Sequence, residues 1–352
     1  MVEFSNTLID WYSKYKRDLP WRNISDPYFI WVSEIILQQT RVIQGINYYL
    51  RFVDRFPSVA ILANASENEV LNYWQGLGYY SRARNLHKGA KFVVSEFGGE
   101  FPSNYSDVLK IPGVGVYTAA AICSFAYNLP YAVVDGNVYR VISRIYGISE
   151  PIDTSIGKNE FARIAQKLLS LSSPGIHNQA IMEFGALQCV PSSPKCVICP
   201  FNNICKAYES NLVSELPVKS KKIKVKSRYF NYLFIEFEGN TFLQKRTEKD
   251  IWQNLYELPL IETPNLLTVE ELLANANFKD MFKDVESLNL SQISEPIKHV
   301  LTHRIIMAQF FTITISNVSD VLREKDVLPM SEIGRFPVSR LTEIFLERNR
   351  AI

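Results

Sequence analysis

The chain has 352 residues and a mass of 40.4 kDa, more than one hydrophobic core usually organises, so we expect two domains. Hydrophobic residues make up 47% of the chain and charged residues 21%, a balance that argues against extensive disorder. No apolar run is long enough to cross a bilayer, and the N-terminal segment lacks the apolar core of a signal peptide. We therefore expect an intracellular protein without a membrane partner.

The net charge of +2 is distributed unevenly along the chain. Residues 1–214 carry 19 basic and 17 acidic side chains, residues 215–228 carry six basic and one acidic, and residues 229–352 carry 13 basic and 18 acidic. The middle segment also lacks helical periodicity, which predicts a basic linker between two folded domains. Such a linker could follow phosphates or remain solvated.

Residues 1–214 have apolar positions that recur every three or four residues, which predicts a mainly α-helical domain. Asp26-Pro27 is typical of a helix start, because Asp can cap a helix and Pro is tolerated in its first turn. One amphipathic helix is predicted to follow, from about Tyr28 to Tyr49.

Residues 229–352 change to a two-residue alternation of apolar and polar side chains. The turn residues Glu238-Gly239-Asn240 between two such runs predict a β-hairpin, and residues 309–316 predict a further strand. Residues 269–278 and 339–349 have helical periodicity. The second domain is therefore predicted to be a smaller α/β domain.

Four of the five cysteines, Cys189, Cys196, Cys199 and Cys205, lie within 17 residues in the spacing C-x6-C-x2-C-x5-C. Such clustering is typical of metal ligation, and sulfur ligation suits zinc or an iron–sulfur cluster. Zinc sites usually have two C-x2-C pairs, so the single pair here favours a [4Fe–4S] cluster over zinc. Unligated cysteines are the alternative. Cys123 lies in an apolar run and is predicted to be a buried small hydrophobe.

Gly113 and Gly115 form a Pro-Gly-Val-Gly turn between two helical segments. Glycines permit a tight turn and close approach to another surface, and the first amides of the following helix can bind a phosphate. This pattern predicts a contact with a nucleic-acid backbone that reads no sequence. A plain helix–helix corner is the alternative.

Two acidic residues, Glu34 and Asp135, are candidates for catalysis. Glu34 lies among apolar helix neighbours, where desolvation would raise its pKa toward that of a general acid. An Arg-paired structural glutamate is the alternative. Asp135 follows an apolar, strand-like run directly before Gly136, where a helix N-cap is the alternative. Two such acids beside one sugar suit an oxocarbenium-like transition state.

The residues that carry these features resemble one family. The motifs are LPWR (19–22), SEIILQQTRV (33–42), YWQGLGYYSRARNLH (73–87), IPGVGVYTAAAI (111–122), VVDGNVYRV (133–141), NQAIMEFGALQC (178–189) and the cysteine cluster. Residues 1–214 resemble the adenine DNA glycosylase (MutY) family of the helix–hairpin–helix, endonuclease III-like superfamily, with a [4Fe–4S] loop at 189–205. Residues 229–352 are similar to the family's Nudix-like, lesion-recognition domain.

The resemblance implies a base-excision-repair enzyme that acts on duplex DNA containing adenine opposite 8-oxoguanine or guanine. It would flip the adenine out, hydrolyse its N-glycosidic bond and leave an abasic site. Glu34 matches the family's general acid, and Asp135 matches the carboxylate that stabilises the cationic sugar. Tyr117 matches the position where endonuclease III carries its Schiff-base lysine; because tyrosine cannot form an imine, a monofunctional glycosylase is implied. A helix-packing role is the alternative for Tyr117.

Further positions are implied by the same resemblance. Arg22 and Glu183 match residues of the adenine pocket, and Gln39 matches the residue that enters the base stack. Tyr79 or Tyr80 matches the wedge beside 8-oxoguanine. A solvated Gln39 and a core-packed tyrosine pair are the alternatives.

Thr302 and His303 match the loop with which the family reads 8-oxoguanine, usually Phe-Ser-His. Thr302 keeps a hydroxyl group, whereas Leu301 replaces the aromatic residue. An unpartnered surface histidine is the alternative for His303. Residues 229–352 lack the Nudix catalytic signature, so this domain is expected to bind and not to hydrolyse.

Two other functions remain open from the sequence: a related helix–hairpin–helix glycosylase that releases a pyrimidine, and a non-catalytic lesion-binding protein. Retention of both Glu34 and Asp135 weighs against the second. We expect a monomer in the cytoplasm or nucleoid.

Overall fold

The computed structural model describes residues 2–220 and 225–349. By their contacts these residues form two compact units. The first contains residues up to 65 and from 85 to 220, and the second contains residues 66–84 and 225–349. The predicted domain boundaries differ from this division, because residues 66–84 group with the C-terminal part of the chain.

The helices of residues 1–214 are, in chain order, α1 (Val2–Tyr15), α2 (Pro27–Leu37), α3 (Val42–Arg55), α4 (Val59–Asn64), α5 (Glu67–Trp74), α6 (Ser81–Phe97), α7 (Tyr105–Val108), α8 (Val116–Tyr127), α9 (Gly136–Tyr146), α10 (Ser155–Leu168), α11 (Pro174–Leu187) and α12 (Lys206–Glu209). Of these, α5 and the start of α6 belong to the second unit. In the first unit, apolar side chains of α1, α9, α10 and α11 share one core, which includes Leu8, Val141, Phe161 and Phe184. No described helix is long and apolar enough to cross a membrane.

The structure corrects the prediction of one helix from Tyr28 to Tyr49. The Asp26 carboxylate does cap the start, accepting from the Tyr28 amide at 2.8 Å. The helix ends at Leu37, however, and α3 begins at Val42. Between them Gln39 has a φ of +54°, a left-handed conformation that interrupts the helix.

The second unit contains eight strands: β1 (Lys226–Glu236), β2 (Asn240–Lys245), β3 (Tyr256–Glu257), β4 (Leu260–Thr263), β5 (Leu288–Ile293), β6 (Ile297–Val300), β7 (Arg304–Ile315) and β8 (Asp326–Pro329). One sheet has the order β4-β1-β7-β5, with β6 also paired to β7, and a smaller sheet has the order β3-β2-β8. β1 and β7 are parallel and the other pairs are antiparallel.

Apolar cores cover both faces of the larger sheet. Its central strands β1 and β7 are therefore buried at consecutive positions along much of their length, which differs from the predicted two-residue alternation. Tyr232 and Phe310 point into one core, where the ring of Phe345 stacks on Phe310 with centroids 4.1 Å apart. Leu233 and Phe311 point into the other core. The second unit also contains the helices α13 (Val269–Ala274), α14 (Ala276–Met281), α15 (Asp320–Arg323) and α16 (Arg340–Arg348), and a 3-10 helix over Met330–Arg335.

Three sequence predictions for this region differ from the structure in detail. The turn at 238–240 forms, but β1 and β2 share a single bridge, Phe237 to Asn240, and then enter different sheets. The helix predicted over 269–278 is two helices, because Asn275 ends α13 and caps α14. The strand at 309–316 and the helix at 339–349 are confirmed as β7 and α16.

The predicted linker, 215–228, is described only at its ends, because residues 221–224 lie outside the described residues. Leu216 is buried, and its carbonyl accepts from Arg144 Nε at 3.0 Å. Ser220 donates its amide to Asp153 at 2.9 Å, while Lys226 begins β1. Both described ends therefore belong to folded structure.

Candidate active site

One cavity of the first unit, of about 570 Å³, contains six of the residues that the sequence singled out. They are Arg22, Glu34, Gln39, Tyr117, Asp135 and Glu183. They come from five separate stretches of the chain, so the fold brings together what the sequence separates by up to 161 positions, the interval between Arg22 and Glu183.

Glu34 lies on the buried face of α2 and is 6% exposed. Its Oε2 accepts a hydrogen bond from the Tyr117 hydroxyl at 2.7 Å. Burial raises the pKa of Glu34; the Tyr117 hydrogen bond and the charge of Arg22 lower it, and the charge of Asp135 raises it further. Glu34 therefore has the environment of a general acid, as its apolar neighbours predicted, and no direct arginine pair is formed within the described residues.

Tyr117 lies in the first turn of α8 and faces both carboxylates. Burial and the charges of Glu34 and Asp135 raise the pKa of Tyr117 well above its ordinary value. The hydroxyl therefore stays protonated and acts as a hydrogen-bond donor to Glu34. Tyr117 lines the cavity and also packs against a small apolar cluster, which is the packing role given as its alternative.

Asp135 is the N-cap of α9. Its Oδ1 accepts the amides of Asn137 and Val138 at 2.9 and 2.8 Å, and its Oδ2 accepts Asn137 Nδ2 at 2.7 Å. Burial raises the pKa of Asp135 above its ordinary value, and these donors and Arg140 offset only part of that rise by favouring the charged form. The capping alternative is thus correct, and it also fixes the carboxylate at the cavity. The apolar run before it, 131–134, is irregular and not a strand.

Glu183 lines the same cavity and is almost fully buried. Arg17 binds both of its oxygens, with Nε at 2.6 Å and Nη2 at 2.8 Å, and Arg22 lies 3.8 Å away. Burial raises the pKa of Glu183, but the hydrogen bonds and charge of Arg17 outweigh it and lower that pKa. Sequence reasoning missed Arg17, although it lies only two positions before the LPWR motif.

A chain of hydrogen bonds runs from Asp135 to the cysteine loop. Asn137 donates to Asp135 and accepts from Arg140 Nη2 at 2.8 Å, and Arg140 Nε donates to the Cys189 carbonyl at 2.7 Å. Arg140 also donates to the Gly185 carbonyl at 2.6 Å. Sequence reasoning missed Asn137 and Arg140, although both lie inside the VVDGNVYRV motif.

The four clustered cysteines line one cavity of the first unit. Arg144 donates to Cys189 Sγ at 3.5 Å and to the carbonyls of Val190 and Pro191 at 2.8 and 3.0 Å. Among the described residues, no group of three or more His, Cys, Asp or Glu side chains forms a metal-ion site. Cys123 is fully buried, as predicted.

The glycine turn lies between α7 and α8. Gly113 has a φ of +81°, and a Cβ there would lie 2.6 Å from Asn85 Cβ, so both conformation and space require glycine. Gly115 is the N-cap of α8 and provides no side chain to bind the first amides. The binding of a phosphate by those amides stays a prediction.

The remaining predicted residues lie in the second unit. Tyr79, Tyr80, Thr302 and His303 all line a cavity of about 650 Å³, together with Trp252. Tyr79 is 47% exposed, and its hydroxyl lies 2.5 Å from Thr302 Oγ1. Tyr80 is 5% exposed and its hydroxyl donates to the Val338 carbonyl at 3.4 Å. Of the two tyrosines, Tyr80 is therefore packed in the core, whereas Tyr79 is exposed at the cavity; the wedge stays a prediction.

Comparison with known proteins gives the same two parts. Residues 32–169 match the HhH-GPD superfamily of base excision DNA repair proteins, and residues 231–348 match the NUDIX domain. The adenine DNA glycosylase of Buchnera aphidicola from Schizaphis graminum is 32% identical over 97% of this chain and 98% of its own length. The human adenine DNA glycosylase is 43% identical over 59% of this chain and 40% of its own length.

Among solved structures, a thermostable thymine-DNA glycosylase is similar, with a TM-score of 0.56 and 30% identity over 59% of this chain and 96% of that chain. A non-covalent endonuclease III–DNA complex, with a TM-score of 0.52 and 21% identity over 60% of this chain and 96% of that chain, shares the fold. The expected fold class, a helix–hairpin–helix domain followed by a Nudix-like domain, is thus confirmed. Full-length similarity to named relatives and both domain matches agree, and the chain belongs to the adenine DNA glycosylase family.

Proposed function

We propose that this chain is a monofunctional DNA glycosylase that releases adenine opposite 8-oxoguanine or guanine and leaves an abasic site. The observation that carries the proposal is the cavity in which Glu34, Tyr117 and Asp135 meet. A buried acid that holds its proton and a second acid fixed by helix amides are the two groups that glycosidic cleavage through a cationic sugar needs.

Protonated Glu34 supplies the proton that the departing adenine requires. Its environment keeps that proton available above the ordinary range of a glutamic acid, and the Tyr117 hydrogen bond fixes the carboxyl group. Proton transfer to the base turns a poor leaving group into a neutral one, so the N-glycosidic bond breaks without an external acid. Ionised Glu34 then serves as the base for the attacking water.

Asp135 stabilises the sugar cation that remains. Its three hydrogen bonds are all to its own helix start, which prevents the carboxylate from turning away. Charge held in a fixed position near a developing cation lowers the barrier without reorganisation. Tyr117 has no amine and cannot form an imine with the sugar, so the reaction ends at the abasic site.

A [4Fe–4S] cluster is proposed at Cys189, Cys196, Cys199 and Cys205. The donor set fits, because four thiols line one cavity, and Arg144 donates to Cys189 there. Burial raises the pKa of Cys199 to about 11 without a bound metal, so cluster assembly would have to release its proton. When bound, the cluster cross-links the loop; Arg140 and Arg144 hold that loop to α9.

The cavity of the second unit is proposed to receive the base opposite the adenine. Thr302 supplies a hydroxyl group and the exposed Tyr79 an aromatic wedge, and His303 is exposed beside them. The aromatic contact that Leu301 lacks is available from Trp252 on the same cavity wall. The duplex is the proposed partner, and the chain is proposed to act as a monomer.

Single-turnover assays on duplexes with adenine opposite 8-oxoguanine test this function. The chain should release free adenine, and borohydride should trap no covalent adduct. Glu34→Gln should reduce the rate at least about 1,000-fold, because the proton donor is lost. Glu100→Gln, a change of the same type at an exposed position, should leave the rate within about twofold of wild type.

Two results would contradict the proposal. A fully active Glu34→Gln variant would remove the assigned acid. Release of thymine opposite guanine, without release of adenine, would instead support the pyrimidine alternative, which the likeness to a thymine-DNA glycosylase keeps relevant.

A further inference from the structure

Arg304, the first residue of β7, has an unpaired guanidinium in the second-unit cavity. It directly follows the Leu301-Thr302-His303 turn, which its backbone closes by accepting the Leu301 amide at 2.8 Å. Its side chain lines the same cavity as Tyr79 and Trp252. Within residues 225–349 and 66–84, Arg304 makes no side-chain hydrogen bond or ion pair, and its Nε is buried without any partner.

Neighbouring arginines of the second unit are all engaged. Arg228 binds Asp250 at 2.6 Å and Glu262 at 2.7 Å. Arg246 binds Glu257 at 2.7 Å and also Asp250 at 3.0 Å. Asp250, an acid on the cavity wall, is therefore already shared by two arginines. The charge of Arg304 is left uncompensated by this network.

An unpaired, partly buried guanidinium is costly, because it loses hydration without gaining an acceptor. Arg304 has a second cation beside it: Lys226 of β1 is its direct partner across the parallel strand pair, and residues in register share one face of a sheet. Two adjacent cations without a free acid favour an anionic ligand over a neutral one. Arginine donors match phosphate oxygens in particular.

We propose that Arg304 binds a phosphodiester oxygen of the DNA strand that carries the base opposite the adenine. This inference rests on the proposed function, in which the cavity receives that nucleotide. The aromatic side chains of Tyr79 and Trp252 would contact the base, and Arg304 would hold the backbone beside it. Such a contact fixes the position of the strand and carries no sequence information.

A contact with the base edge is the competing assignment, and its chemistry differs. An arginine fork that reads guanine uses O6 and N7 as acceptors. In 8-oxoguanine N7 carries a proton and cannot accept, so an arginine at that edge would favour guanine. A phosphate contact contributes equally to the affinity for the guanine duplex and for the 8-oxoguanine duplex.

The experiment measures dissociation constants of the full chain for duplexes with a non-cleavable 2′-fluoro-adenosine opposite 8-oxoguanine or guanine, over a series of salt concentrations. Arg304→Met should weaken binding about fivefold to tenfold on both duplexes and reduce the slope of log K against log salt by about one. Arg304→Lys should retain most of the slope, because lysine still offers a point charge. Arg323→Met is the matched control: it removes the same charge from an exposed pair with Asp320 and should leave slope and affinity unchanged.

Thermal denaturation separates a binding role from a structural one. Because Arg304 has no partner in the described protein, Arg304→Met should unfold at the same temperature as wild type or higher. A lower unfolding temperature together with an unchanged salt slope would overturn the proposal in favour of a structural arginine.

Three further outcomes are decisive. Affinity and slope that match those of Arg323→Met would refute the phosphate contact, even if the wild type releases adenine. A loss confined to the guanine duplex would refute it in favour of the base edge. If the wild type releases no adenine, but Arg304→Met still reduces the salt slope on both duplexes, the proposed function is refuted and the phosphate contact is supported.

Discussion

At the scale of single residues, the environment of Glu34 suits the proposed proton donation but lowers the stability of the fold. Its neighbours on α2 are Ile30, Trp31 and Leu37, of which the first two are buried. An acid there is kept neutral by desolvation, which is useful for proton donation but costs free energy of unfolding when the pH favours the carboxylate.

The pH dependence of stability therefore has a predictable sign. Because the folded-state pKa of Glu34 is raised, the folded state holds its proton longer than the unfolded state, and stability falls as pH rises from the ordinary pKa through the raised one. Glu34→Gln removes this titration. We expect the variant to be more stable than wild type by about 1 to 3 kcal/mol at pH 8, with a smaller difference at pH 4.

Denaturant unfolding at both pH values measures this difference. Glu100→Gln, at an exposed position, should show none. Equal effects of Glu34→Gln at pH 4 and pH 8 would mean that the carboxyl group keeps an ordinary pKa, and the acid assignment would lose its physical basis.

At the scale of elements, helix starts and loops position most of the site. Asp135 takes its place because it caps α9, and the glycine turn exposes the first amides of α8. The cysteine loop is held to α9 by Arg140 and Arg144. The helix that Asp135 caps, and with it a proposed catalytic residue, is thus also the helix that holds the proposed cluster loop.

Loss of one cluster ligand should therefore affect more than the loop. Cys199→Ser is expected to remove the yellow-brown colour and iron content and to lower the unfolding temperature, because the loop loses its cross-link. Adenine release should also fall, since Arg140 connects the Cys189 carbonyl to the Asn137–Asp135 pair.

Cys123→Ala is the matched control, since this buried cysteine lies outside the cluster. It should keep iron and colour even if its stability falls by about 1 kcal/mol. A Cys199→Ser variant with full iron content would show that the four cysteines do not share one centre.

At the scale of the whole molecule, the chain does not divide at the linker alone. Residues 66–84 belong to the second unit through contacts with distant residues: Asn72 donates to the Arg335 carbonyl at 2.7 Å, and Gln75 donates to Glu343 at 3.1 Å. Arg84 donates to the Gln253 carbonyl at 2.7 Å. These partners are all absent from a chain that ends at residue 214.

A fragment of residues 1–214 should therefore be cut by trypsin in the segment 66–84. Arg82 is 8% exposed in the full chain, so the bonds after Arg82 and Arg84 should resist cleavage there. We expect at least about tenfold faster cleavage at these sites in the fragment, because local opening sets the rate. Mass spectrometry of the products locates the cuts.

Cleavage after Lys91, which is exposed in α6 and lies in the first unit, is the internal control and should change little. Equal protection of Arg82 and Arg84 in both chains would show that residues 1–214 fold as one independent domain, as the sequence pattern predicted.

Much of this protein follows from the sequence by itself. The helical character of the first part, the α/β character of the second, the apolar helix neighbours of Glu34 and the cap at Asp135 each depend on residues within one turn or one strand. The family resemblance also identified the residues that meet in the first cavity.

Other features were decided by the tertiary structure. The break between α2 and α3, the separation of β1 and β2 into different sheets, and the burial of Tyr80 beside an exposed Tyr79 depend on what each segment packs against. The same holds for Arg17, for the uncompensated Arg304 and for the grouping of residues 66–84. Contacts between residues far apart in the chain leave no periodic trace in the sequence, because their energy depends on positions that only the folded chain fixes.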